Sequence, residues 1–247
     1  MILYPTIELQ NGHCVSLHRG RIEEPEIWHV DPLAKAKEFA KLGAEWIHVT
    51  DLDAVKGLNT NRDIVQKIIQ GAGVPVQLGG GFRSRGRIED WFDRGASRIV
   101  LGTLAVQEPA MVKDIVKRHP GRVALTVDIW KGKVLIDGWR TSSAYTAEAF
   151  IEAYAGTPFA AFIITDVDAD AEGTEASLSH FATLSKIAKV PVIASGAVRS
   201  IDDVARLKYA SHISGALVGR ALFNKTVDLA AALEVARGDV GEVAAFI

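Results

Sequence analysis

The chain has 247 residues, 48% of them hydrophobic, with 28 Lys and Arg against 30 Asp and Glu. A formal net charge of −2 gives no basic field for nucleic acid or an anionic membrane. Cys14 is the single cysteine, which excludes a disulfide framework and a Cys-based metal site.

No apolar run approaches the roughly 18–20 residues of a membrane span. Met1–Pro5 lacks the charged start and long apolar core of a secretory signal, so the expected location is cytoplasmic. No stretch in the middle reads as a linker. His119-Pro120-Gly121 is a short turn running straight into an apolar segment, so one domain over residues 1–247 is expected.

Continuous apolar, β-branched runs alternate with amphipathic ones. The predicted strands are Leu3–Leu9, Trp46–Thr50, Val74–Leu78, Arg98–Leu101, Val123–Asp128, Ala160–Thr165, Val190–Ala194 and Ile213–Val218. Runs without polar alternation indicate parallel strands covered on both faces. Between them the spacing predicts helices at Pro32–Leu42, Arg62–Gln70, Ser84–Arg94, Pro109–Arg118, Ala147–Ala155, Leu178–Ile187, Ile201–Lys208 and Val227–Ala236. Ser200 with Asp203, and Thr60 with Asp63, have the spacing of capping boxes. Eight units of about 31 residues are enough to close a (β/α)8 barrel, which leaves no sheet edge.

The chain also contains itself twice. Pro75–Ser84 reappears as Pro191–Ser200, Thr50–Ala54 as Thr165–Ala169, Ile7–Gly12 as Val127–Gly132, and Val100–Gly102 as Leu217–Gly219. The offsets are 116, 115, 120 and 117 residues, in constant order. Two fused four-unit halves, about 1–120 and 121–240, close naturally into eight. This favours the barrel over an open doubly wound sheet.

In such a barrel the chemistry sits at the carboxyl ends of the strands. Glu8 and Asp128 end corresponding strands of the two halves, so they should face each other. A carboxylate closing an apolar strand is costly unless solvated, paired or used, and two across a substrate suit general acid–base work. A salt-bridged rim pair, with Arg83 and Arg199 as partners, is the structural alternative. Gly79–Gly81 and Gly102-Thr103 offer backbone amides to an anion. Ser195-Gly196 and Gly219-Arg220 repeat that offer in the second half, so a ligand with two phosphates is expected. Asp51, Asp53, Asp166 and Asp168, with Asp170 and Glu172 after them, come from different halves without an EF-hand pattern. They are read as solvated or supporting acids, and no metal is expected. The seven His residues show no metal spacing; His48, inside a strand, reads as core or support.

Ile7-Glu-Leu-x-x-Gly12, Asp51–Gly57, Gly79–Arg83, Gly102-Thr103, Asp128 with Gly138-Trp139, Glu172-Gly-Thr174 and Val218–Ala221 together resemble the HisA/HisF family, and its isomerase branch in particular. The resemblance spans residues 1 to about 225. It implies a cofactor-free aldose–ketose (Amadori) isomerase of histidine biosynthesis, with a bisphosphorylated aminoimidazole carboxamide ribotide as substrate and no nucleic-acid or membrane partner; a monomer is expected. It implies Glu8 as base, Asp128 with Glu172 on the acid side, and Thr165 orienting the ribose. Gly80, Gly81, Arg83, Gly102 and Thr103 would hold one phosphate. Gly173, Ser195, Gly196, Gly219 and Arg220 would hold the other, and Trp139 would cover the imidazole carboxamide. The sequence departs from the family pattern in four places. Glu8 and Glu172 replace Asp, Ser16 replaces Arg, and Ala197 replaces Gly. These departures leave open a paralogue for another phosphosugar, or a binding protein without turnover.

Overall fold

A computed structural model of the chain describes residues 1–18, 20–167 and 174–238. In chain order its strands are β1 (Ile2–Gln10), β2 (His13–Ser16), β3 (Glu26–Trp28), β4 (Ile47–Asp51), β5 (Val76–Gly79), β6 (Arg98–Leu101), β7 (Val123–Trp130), β8 (Lys133–Ile136), β9 (Thr141–Thr146), β10 (Ala161–Asp166), β11 (Val192–Ser195) and β12 (Ile213–Val218). Its helices are α1 (Pro32–Lys41), α2 (Leu52–Val55), α3 (Arg62–Gly71), α4 (Arg85–Asp93), α5 (Thr103–Gln107), α6 (Pro109–Arg118), α7 (Ala147–Ala153), α8 (Thr174–Ala188), α9 (Ile201–Tyr209), α10 (Arg220–Phe223) and α11 (Leu229–Arg237).

Eight of the strands are parallel neighbours in the order β10-β11-β12-β1-β4-β5-β6-β7, and β7 pairs with β10 to close the ring. This is a (β/α)8 barrel. Each half of the chain contributes four contiguous strands, so corresponding strands lie four places apart and face each other. The opposed pairs are β1 and β7, β4 and β10, β5 and β11, and β6 and β12.

Side-chain alternation divides the core in two. Leu3, Ile7 and Leu9 of β1 face outward and join Ile47, Val49, Leu78, Phe39, Ile68 and Trp91 in the layer between strands and helices. Tyr4 faces inward with Val100, Ala124, Ala161, Ile163 and Ile193. At the carboxyl end the inward positions turn polar: Thr6 and Glu8, His48 and Thr50, Thr126 and Asp128 line one cavity.

Two excursions lean on this end of the barrel. β2 folds back antiparallel on β1, with Val15 opposite Glu8, and carries β3. β8 and β9 form a meander on β7. Neither β2 nor β3 was among the predicted strands.

Ser200 forms a capping box with Asp203, as its spacing predicts. Thr60 with Asp63 does not. Asn61 is the N-cap of α3 and its side chain makes no cap bond. That amide is committed elsewhere, accepting from Gly12 N at 2.8 Å and donating to Asp51 Oδ1 at 2.9 Å and Leu9 O at 3.2 Å.

Candidate active site

A cavity of about 620 Å³ opens at the carboxyl ends of the barrel strands. That volume lies within the range of sites for small molecules. Glu8, Gly80, Gly81, Arg83, Gly102, Thr103, Asp128, Trp139, Thr165, Ser195, Gly196, Gly219 and Arg220 all line it. Glu172 and Gly173, with Asp168 and Asp170, lie outside the described residues.

Glu8 stands on β1 and Asp128 on the opposed β7. Burial pushes the Glu8 carboxyl up to about 7, against the hydrogen bond from the Leu17 amide and the charge of Arg220. The Leu17 amide is in reach because β2 returns along β1. Burial also raises the Asp128 carboxyl, opposed by hydrogen bonds from the hydroxyls of Thr165 and Thr126 and the indole of Trp139. Thr165 is Asp128's register partner on β10. Two carboxyls whose burial favours the neutral form stand on opposite walls of one cavity, an arrangement suited to general acid–base chemistry.

Of the two cations in the rim-pair alternative, Arg83 is engaged elsewhere. Arg83 donates to the carbonyls of Ala54 and Val55 at 3.3 and 2.6 Å. Arg220 is the cation facing Glu8, and its Nη1 also lies 3.3 Å from His18 Nδ1.

The glycine turns have a packing reason as well as an open face. Gly81 has φ +66°, and a Cβ there would fall 2.1 Å from the Ala54 carbonyl oxygen. The turn after β5 is thereby pressed onto α2 while its other side faces the cavity. Across the barrel, Gly196 follows β11 and Gly219 follows β12. Thr103 Oγ1 accepts from Asp137 N at 2.8 Å and so ties the β8–β9 turn to the start of α5.

Asp51 and Asp53 correct the expectation of solvated acids. They are 3% and 1% exposed. Asp51 caps α2 through Ala54 N and accepts from Asn61, and Asp53 accepts from Asn11 N at 2.9 Å. Both fasten the β1–β2 turn, the supporting role that was the other half of that reading. Asp166 pairs with His180 Nδ1 at 3.1 Å. Among the described residues, no group of three His, Cys, Asp or Glu side chains is placed to hold a metal ion. No described helix is long and apolar enough to cross a membrane.

Sequence reasoning missed the Leu17 amide, the Thr126 hydroxyl and the Trp139–Asp128 bond. Thr126 had a signal, since it precedes Asp128 by two residues and shares its face. Trp139 arrives only through the fold-back of β8.

The closed parallel ring and a carboxyl-end cavity walled by opposed acids define an enzyme-type (β/α)8 barrel. The histidine biosynthesis protein family matches residues 2–228, and the chain belongs to that family. A protein of Ruegeria pomeroyi, named a 1-(5-phosphoribosyl)-5-((5-phosphoribosylamino)methylideneamino) imidazole-4-carboxamide isomerase 2, is 54% identical over the full length of both chains. The isomerase 1 of that name from Ruegeria sp. strain TM1040 is 50% identical, again over both full lengths. The isomerase of that name from Paramagnetospirillum magneticum is 42% identical over 94% of this chain and 98% of its own.

Proposed function

We propose that this chain is an aldose–ketose isomerase that carries out the Amadori rearrangement of the bisphosphorylated imidazole carboxamide ribotide for which its relatives are named. The observation that carries the reading is the opposition of Glu8 and Asp128 across the cavity, each raised by burial. Asp128 keeps its proton above the ordinary carboxyl range and delivers it to the ribose ring oxygen as the C1′–O bond breaks. The nitrogen lone pair forms the Schiff base. Glu8, near half ionised at neutral pH, then takes the C2′ proton to give the enolamine, which tautomerises to the aminoketose. The Thr165 hydroxyl holds Asp128 in line and reaches the ribose.

Gly80, Gly81, Arg83, Gly102 and Thr103 receive one phosphate, and Ser195, Gly196, Gly219 and Arg220 the other. Binding requires Arg83 to leave or share its two carbonyl partners. Trp139, held by its indole to Asp128, forms the wall for the imidazole ring. Glu172 and Gly173 are assigned to the acid side and the second phosphate by resemblance alone.

Steady-state isomerisation of the aminoaldose by the parent, Glu8→Gln and Glu8→Asp tests the reading. The parent turns over, Glu8→Gln loses at least about 10³-fold, and Glu8→Asp loses about 10²-fold because the carboxylate retreats by roughly an ångström. A parent without turnover that gains it on Glu8→Asp would instead be a family member that has moved to another phosphosugar.

A further inference from the structure

A hydrogen-bonded chain runs through the barrel interior toward Glu8. Arg98 opens β6 at the end away from the cavity and stacks on Trp46, 4.4 Å from its ring centre. Its Nη1 lies 3.2 Å from Gln77 Oε1. Gln77 Nε2 lies 3.0 Å from His48 Nδ1, and His48 Nε2 lies 2.8 Å from Thr50 Oγ1. Gln77 is fully buried and His48 is 5% exposed. The order follows from register, since Arg98, Gln77 and His48 are successive partners on β6, β5 and β4.

Donor and acceptor chemistry gives the chain one direction. A guanidinium has no acceptor, so the Gln77 atom facing Arg98 is the oxygen. The Gln77 amide nitrogen then faces His48 and can only donate, so His48 Nδ1 accepts. The imidazole is thus neutral with its hydrogen on Nε2, and burial, which holds its pKa down to about 4, keeps it so. His48 Nε2–H donates to Thr50 Oγ1, leaving the Thr50 hydroxyl hydrogen to point elsewhere. Thr50 lines the cavity and is the register partner of Glu8 on the neighbouring strand.

We propose that Thr50 is a directional hydrogen-bond donor to an oxygen of the substrate beside Glu8, and that Gln77 is the positioning residue that gives it that direction through His48. The substrate half of the proposal rests on the isomerase reading. An oxygen acceptor next to the C2′ proton is a ribose hydroxyl, and holding it presents that proton to Glu8. The function of Arg98 is to prevent Gln77 from turning over, which would reverse every bond in the chain.

The first test is ¹⁵N NMR of the imidazole nitrogens in the full chain, which needs no activity. His48 is expected as the neutral Nε2–H tautomer from pH 6 to 8. Gln77→Met is expected to give a mixture of tautomers. So is Arg98→Met, at a partly buried site at the edge of the barrel interior, which gives a second variant if Gln77→Met does not fold. The second test is steady-state kinetics: Thr50→Val loses about 10-fold in kcat/KM, and Thr50→Ser, which keeps the hydroxyl, recovers most of it. An Nδ1–H tautomer in the parent, or one unmoved by both Met variants, overturns the relay. A Thr50→Val enzyme with parental kcat/KM overturns the substrate contact. A parent with no turnover overturns the isomerase reading and the contact with it, while the tautomer still decides the relay.

Discussion

As the proposed base, Glu8 would have two incompatible duties, and its raised carboxyl sets out the conflict. A base must shed its proton at working pH, yet the inward face of β1 disfavours the charge. The folded chain therefore holds the Glu8 proton up to about 7, whereas an unfolded chain releases it near 4.5. Between those values the folded state binds more protons, so this group's contribution to stability falls as pH rises and is fully lost above about pH 7. A shift of that size corresponds to about 3 kcal/mol, and opening to the cavity reduces it to about 2 kcal/mol. Glu8→Gln should therefore match the parent near pH 4.5 and exceed it by about 2 kcal/mol at pH 8, measured by urea unfolding at both values. Equal stability at pH 8 would mean that cavity water solvates the carboxylate. Asp128 adds a cost of the same sign, moderated by its three hydrogen-bond donors.

The β1–β2 hairpin is what turns Glu8 from a strand end into a tuned group, because it brings the Leu17 amide alongside. Its turn, Asn11-Gly12, is held by side chains from beyond β4. Asp53 accepts from Asn11 N, and Asn61 accepts from Gly12 N while donating to Leu9 O and Asp51. Asn61 is completely buried, so Asn61→Ala removes a partner at once from the Gly12 amide, the Leu9 carbonyl and the Asp51 carboxylate, which keeps only its bond from Ala54 N. The expected cost is about 3 kcal/mol, with a fall in kcat larger than any change in KM. Thermal unfolding and steady-state rates check both. None of this clamp was legible in the sequence, where Thr60 with Asp63 read as the cap of α3 and Asn61 carried no reading. Elements with their own apolar period were legible: all eight barrel strands begin and end within two residues of their predicted positions. Elements completed by a neighbour were not. β2, β3, α2, α5 and α10 run three to five residues and exist because a neighbour completes them, as Asp51 does by capping α2. The line of residues from Arg98 to Thr50 was hidden for the same reason, since register across strands is not written in any one of them.

At the scale of the molecule the internal repeat becomes geometry. Positions about 117 residues apart stand on opposed strands, so one carboxylate and one pair of glycine turns in each half become two of each, facing across the cavity. The strand-end acids were readable because a charge closing an apolar run is conspicuous. Their opposition was readable because eight strands from two equal halves can only place counterparts four apart. This arrangement suits a ligand with an anion at each end, and it has an energetic consequence. Once one phosphate is seated, the second meets its turn at a high effective concentration without a further loss of translational freedom. A bisphosphorylated ligand should therefore bind at least about 10²-fold more tightly than either half carrying one phosphate. Inorganic phosphate should compete only at millimolar levels. Titration calorimetry of the bisphosphorylated product, each monophosphorylated half and inorganic phosphate would measure the series. If one half matched the whole, only one end of the barrel would hold phosphate, and the repeat would be a relic of how the fold was assembled rather than the shape of its ligand.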